Sequence, residues 1–206
     1  ENDQSHSPAF AAHLAERVDD ILAAVPAGEA IDYLEIGAGQ GQFLRQVAAS
    51  AGERLRAAEG FDPAWRGADG ALIDGARMHK VYFDTATADR LARRPNVVAS
   101  RHTIEHIPDP VAFLRAVRAA LGEQSKARIF IETPCIAWII ANRAMQDVFY
   151  EHCSIFTASS LRHALEKSGF AVTDVRHVFG GQYLWAIAEA ASIDAASSRT
   201  TTFNKI

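Results

Sequence analysis

The sequence predicts an α/β fold: a three-layer sandwich in which helices flank a seven-stranded, mainly parallel sheet with an antiparallel last strand. Three observations carry this. Short apolar runs alternate with segments of helical periodicity along most of the chain, the pattern of a parallel sheet covered on both faces. A glycine-rich turn, Gly37-Ala38-Gly39-Gln40-Gly41, joins the first such run to a helix. The pattern closes on two apolar runs separated by Phe179-Gly180-Gly181-Gln182, a hairpin signal.

In chain order, residues 9–25 form an amphipathic helix, with Phe10, Leu14, Val18, Ile21, Leu22 and Val25 on one face and Pro26-Ala27-Gly28 ending it. Ala30–Ile36 is a strand. The glycine turn follows, then a helix with Phe43, Leu44 and Val47 inward. Leu55–Phe61 is a second strand, closed by Asp62-Pro63, and Trp65–Ala76 a loop or short helix. A third strand is expected at His79–Phe83, ending in Asp84, and a polar helix near residues 86–93. Asn96–Ser100 is the fourth strand. Pro108-Asp109-Pro110 opens a helix carrying Val111, Leu114, Val117 and Leu121, since proline suits a first helical turn. Arg128–Glu132 reads as a strand buried on both faces. Residues 134–156 read as irregular, with a helix possible at Ala137–Met145. Thr157 caps a helix with Leu161 and Leu165 inward that stops at Gly169. Val172–Val178 and Tyr183–Ala188 form the hairpin, so residues 1–189 make one domain and 190–206 a tail or linker.

Composition narrows the function classes. Of 206 residues, 49% are hydrophobic and 22% charged, which excludes a disordered chain. A formal net charge of −4 gives no global footprint for nucleic acid or anionic membrane, and neither partner is expected. Two cysteines, Cys135 and Cys153, are too few for a disulfide framework or a four-thiolate zinc site. They read as free thiols. With no apolar run long enough to span a bilayer and no signal peptide, a cytoplasmic location is expected. The chain begins at Glu1 rather than Met, so an upstream segment is left open.

Glycines between a strand and a helix let the backbone approach a ligand with helix N–H groups aimed at it. The dinucleotide fingerprint G-x-G-x-x-G needs a glycine at position 42, where this chain has Gln42. The spacing is instead G-x-G-x-G with Glu35 two residues upstream. Asp62 follows Gly41 by 21 residues at a strand end, and Asp84 ends the next strand. This set, with the closing hairpin, resembles the class I S-adenosylmethionine-dependent methyltransferases over about residues 5–189. The resemblance implies a Rossmann-like sheet and S-adenosylmethionine as cofactor, with S-adenosylhomocysteine as product. It also implies that Gly37, Ala38, Gly39 and Gly41 wrap the cofactor's amino-acid end and that Glu35 helps hold its ammonium. Asp62 then takes the ribose hydroxyls, and Asp84 the adenine amino group with Phe83 packing nearby. For Asp84, a helix cap is the competing role.

His102-Thr103-Ile104-Glu105-His106 spells the inverted zinc-protease motif. It follows a strand and runs into Ile107-Pro108, where helix is disfavoured, so no metal site is assigned. The same segment resembles the stretch after the fourth strand of methyltransferases, which puts His102 beside the methionine part of the cofactor and His106 beside the substrate; packing is the competing role for His106. A second segment, Asp147–Thr157, lies where such a sheet presents substrate residues. Together with Ile131-Glu132-Thr133-Pro134 it resembles the sugar C-methyltransferases, in which the histidine of an E-H pair is a proposed base beside an acid and a tyrosine. Glu151 and His152 match. The tyrosine position, three before His152, is Phe149 here, with Tyr150 adjacent.

The chemistry explains the need for a base. A sulfonium methyl is already activated, so its displacement depends mainly on positioning. A carbon nucleophile must first lose a proton next to a carbonyl, which suits a histidine. The resulting enolate needs donors, which Tyr150 or His106 would supply. The expected function is therefore methylation of a small-molecule acceptor, with C-methylation of a keto sugar or sugar nucleotide foremost and His152 as base. O- or N-methylation of another metabolite is the alternative, and a nicotinamide-dependent oxidoreductase a remote one. Sugar-type members also carry a zinc-binding N-terminal domain and a large C-terminal domain, which these residues do not contain. The chain is then the core of a longer protein or a stand-alone relative with another acceptor.

Overall fold

The structure, a computed structural model, describes residues 7–123, 125–145, 148 and 151–191. One eight-stranded sheet organises it. Its strands are β1 (Ile31–Ile36), β2 (Leu55–Phe61), β3 (Ala71–Ile73), β4 (Ala76–His79), β5 (Val97–Arg101), β6 (Arg128–Pro134), β7 (Phe170–Val178) and β8 (Tyr183–Ala190). They lie in the order β3-β4-β2-β1-β5-β6-β8-β7. Strands β4, β2, β1, β5 and β6 run parallel, whereas β3 and β8 pair antiparallel with their neighbours. The closing hairpin thus joins the central sheet through β8.

Among the described residues, five α-helices accompany the sheet: α1 (Pro8–Ala24), α2 (Gln42–Ala51), α3 (Pro110–Leu121), α4 (Ile136–Asn142) and α5 (Ala158–Lys167). Strand residues alternate between the two faces, which is why two cores form. Leu34 and Ile36 of β1 pack with Leu114, Val117 and Leu121 of α3 and Leu161 and Leu165 of α5. Ile31 and Tyr33 of β1 pack with Leu14, Val18 and Ile21 of α1 and Phe43, Leu44 and Val47 of α2. The helix starts follow local chemistry. Asp109 accepts from the Ala112 amide ahead of Pro110, and Thr157 and Ser160 form a reciprocal capping box on α5.

The eighth strand is a correction to the seven expected. The segment read as a loop or short helix contains β3, which turns back at Asp74 (φ 49°) and Gly75 (φ 83°) to pair with β4. The third parallel strand is correspondingly earlier than His79–Phe83. Its register against β2 runs from Glu59 opposite Arg77 to Phe61 opposite His79, and the Asp62 amide donating to the His79 carbonyl at 3.0 Å is the last rung. Because β2 ends there, residues 80–84 have no strand to pair with. Asp84 therefore lies five residues past the strand instead of at its end. The polar helix near 86–93 is a single 3₁₀ turn, Thr87–Arg90. At the other end β8 reaches Ala190, and Arg118 donates to the Ala191 carbonyl at 2.6 Å, so the fold runs two residues beyond 189.

Candidate active site

The parallel strands end along one edge of the sheet, and the loops leaving β1, β2 and β5 meet there. Gly37, Gly39 and Gly41 all have positive φ, 75°, 56° and 72°, a conformation that glycine adopts without strain. The turn is pressed against the loop after β5: a Cβ on Gly37 would come 1.9 Å from the Thr103 hydroxyl. A Cβ on Gly39 would meet nothing within 4 Å, so the backbone there faces open space. That space is a cavity of about 590 Å³ lined by, among others, Glu35, Gly37, Ala38, Gly39, Arg101 and His102. Gly41 is the N-cap of α2.

Glu35 and Arg101 reach this cavity from adjacent strands and are almost fully buried. Burial pushes the Glu35 carboxyl up to about 8; Arg101 and the Tyr33 hydroxyl, 3.4 Å away, pull it down, and Asp62 pushes it further up. Asp62 spans the loops: one carboxylate oxygen accepts from the Gly39 amide and the other from the Ala64 amide, both at 2.7 Å. Each oxygen keeps a second lone pair. Phe83 is buried, edge-on to Phe61 at 5.1 Å. Asp84 is exposed and accepts from the Thr87 amide at 2.7 Å, while the N-cap of the 3₁₀ turn that follows is Ala86.

Behind the cavity stands a charge cluster that the sequence reading did not pick out. Glu132, 0% exposed, is the centre. Arg101 donates to Oε1 at 2.7 and 3.2 Å, and His13 of α1 lies 2.8 Å from Oε2. His102 Nε2 is 2.9 Å from Oε1. Burial alone would raise the Glu132 carboxyl, but Arg101, His102 and His13 outweigh it and hold it well below the usual carboxylate range. For His102, burial disfavours the cation, yet Glu105 and Glu132 outweigh it and push the imidazole up to about 9. His102 also has a positive φ of 48°, uncommon outside glycine and typical of over-determined functional sites.

The two histidines expected on the acceptor side come together from two loops. Ile104–His106 is a 3₁₀ turn after β5, so His102 and His106 do not share a turn of α-helix as the inverted protease motif requires. His106 instead meets His152, their ring centroids 4.8 Å apart. His106 Nδ1 donates to the Glu151 carbonyl at 3.1 Å. Below them lies Glu105, 2% exposed, whose carboxylate accepts from the Thr133 hydroxyl at 3.1 Å. The loop is laced down by its backbone: Ser154 donates from its amide to the Glu105 carbonyl at 3.0 Å and from its hydroxyl to the Ile107 carbonyl at 2.7 Å. Glu151 is exposed and His152 half-buried. Phe149 and Tyr150, where the relay tyrosine was expected, lie outside the described residues. Glu105, His106 and His152 each offer a ligand atom within 4.8 Å of the others.

A strand-ended glycine loop, an acid after the second strand and a closing antiparallel hairpin define a class I methyltransferase fold. The chain belongs to the methyltransferase-domain family, whose model matches residues 10–175. It is 28% identical over 185 residues to the C-methyltransferase NovU of Streptomyces niveus, covering 87% of this chain and 43% of that one. The chain thus spans less than half of that relative's length. Among solved structures it resembles a SAM-dependent methyltransferase from Aquifex aeolicus (16% identity, TM-score 0.60, 84% of this chain and 89% of that one). It also resembles magnesium protoporphyrin IX methyltransferase from Synechocystis PCC 6803 with bound SAH (14%, 0.60, 89% and 84%). Both likenesses are of fold. Among the described residues, no helix is long and apolar enough to cross a membrane.

Proposed function

We propose that this domain is an S-adenosylmethionine-dependent methyltransferase that methylates a carbon of a small keto sugar or sugar nucleotide in the cytoplasm. The donor set suits the cofactor's zwitterionic end. Glu35 offers a carboxylate for the ammonium, and Arg101 and His102 offer cations for the carboxylate. The open backbone at Gly39 leaves room beside them, and the spare lone pairs of Asp62 suit the ribose hydroxyls. Phe83 and Asp84 are assigned to the adenine side. When bound, the cofactor supplies the activated methyl.

The single observation that carries the acceptor half is the meeting of His106 and His152 on two loops laced together at the sheet edge. His152 takes the proton next to the acceptor carbonyl, with Glu151 beside it. Tyr150, or His106 when its Nε2 also carries a proton, holds the enolate oxygen. The C-methyltransferase name of the 28% identical relative supports carbon as the site of transfer.

His152→Ala and His152→Gln test this. Each should lower turnover ~10²–10⁴-fold, the usual contribution of a general base, while S-adenosylhomocysteine affinity stays near that of the parent. Full turnover in either folded variant overturns the base. A methyl found on oxygen or nitrogen of the product overturns carbon transfer.

A further inference from the structure

We propose that Glu105, His106 and His152 form a binding site for a divalent cation of the zinc type. Their three ligand atoms lie within 4.8 Å of one another. Bonds of ~2.0–2.2 Å to zinc would place them about 3–3.5 Å apart, so a shift of about 1 Å by the histidines closes the site. His106 is exposed and His152 half-buried, so neither ring lies in the packed core.

The surroundings already have the form of a metal site. The Nδ1–H of His106 donates to the Glu151 carbonyl at 3.1 Å, which leaves Nε2 with its lone pair. A ligating histidine is typically oriented in this way, through the hydrogen bond made by its other nitrogen. Glu105 is fixed from below by Thr133, as ligating carboxylates are. A carboxylate has about four acceptor positions, so the contacts with Thr133 and His102 leave room for a cation. The bonds from Ser154 to Glu105 and Ile107 hold the two ligand-bearing segments together before any ion arrives.

Two imidazoles and one carboxylate select a borderline transition cation over magnesium or calcium, which prefer all-oxygen sites. Three protein ligands leave a position open, as in zinc sites that bind water or substrate. The assignment goes beyond the proposed methyl transfer and constrains it. A cation on His152 takes the lone pair that a base needs, so the metal-bound pocket is a blocked state of that reaction.

The test reads binding alone, so it is independent of whether His152 is a base. The full chain, stripped with a chelator, is titrated with Zn²⁺ against a chromophoric competitor, and the complex is examined by zinc X-ray absorption. One equivalent bound through nitrogen and oxygen is expected. His106→Ala, at an exposed position, and His152→Ala should each weaken binding by more than the ~100-fold that outer contacts contribute. His177→Ala, which removes the partner of Cys135 at 3.4 Å, and Cys153→Ser should leave it unchanged. Parent-like zinc affinity in folded His106→Ala, or sulfur in the absorption spectrum, overturns the site.

Discussion

On the proposed cofactor side of the sheet edge the polar side chains grow from strand ends; on the acceptor side they grow from loops. Glu35, Arg101 and Glu132 sit on β1, β5 and β6, and strand register alone sets them side by side, Arg101 opposite Glu132 and Glu35 opposite Ala99. Glu105, His106, Glu151 and His152 have no such register. They meet because a 3₁₀ turn is stitched to a second loop through Ser154 and the Glu151 carbonyl. The first half is therefore preorganised by the fold itself. The second half is held by contacts between its two loops, with Glu105 buried beneath them and His106 and Glu151 exposed.

The largest effect that would break this comparison is at Glu132. Removing one member of a buried ion cluster strands the others, at a cost of ~3–5 kcal/mol. Glu132→Ala leaves Arg101 and His13 without their buried partner and should lower the free energy of unfolding in urea by that order. A loss no larger than the ~0.5 kcal/mol typical of surface changes would show that the cluster does not hold the strand ends together.

Next is Asp62, which joins the two loops of the cofactor side. Losing charge-assisted hydrogen bonds to the ribose hydroxyls should cost Asp62→Ala ~1.5–3 kcal/mol in S-adenosylhomocysteine affinity, read by calorimetry. Parent-like affinity would remove the ribose role and leave Asp62 as a brace for the Gly39 and Ala64 amides.

Legibility in the sequence followed the same division. The parallel strands other than the third, the glycine turn and the closing hairpin were readable because each has a local signal: an apolar run, a glycine at positive φ or a capping residue. The β3–β4 hairpin was not, because a three-residue strand carries too little alternation to stand out, although Asp74-Gly75 between Ala71-Leu72-Ile73 and Ala76-Arg77-Met78 is a hairpin turn signal. The candidate residues on the loops were singled out by motif. The cluster around Glu132 was missed, although a signal existed: Glu132 ends the run Ile129-Phe130-Ile131, and a charge in a strand buried on both faces needs a partner. His13 was invisible because it sits beside the apolar stripe of α1, where only the tertiary fold shows that it points inward. Glu105 was visible within its motif, but its closeness to His152 depends on the fold bringing the two loops together.

The last effect sharpens the cofactor side by its titration. The groups facing Glu35 are Tyr33 on its own strand, Arg101 on β5 and Asp62 after β2, and their balance with burial sets the carboxyl at about 8. A ligand ammonium favours the ionised form, so binding must displace a proton from Glu35 whenever the pH lies below 8. The sign follows: affinity for S-adenosylhomocysteine should tighten as pH rises from 6, by close to tenfold per unit, and level off near 8. Glu35→Gln carries no such proton, so its affinity, measured by calorimetry in buffers of differing ionisation enthalpy, should be flat over that range with no proton released. A parent that is equally flat would mean that Glu35 does not meet the ammonium, and the cavity's buried acid would then serve only Tyr33 and Arg101.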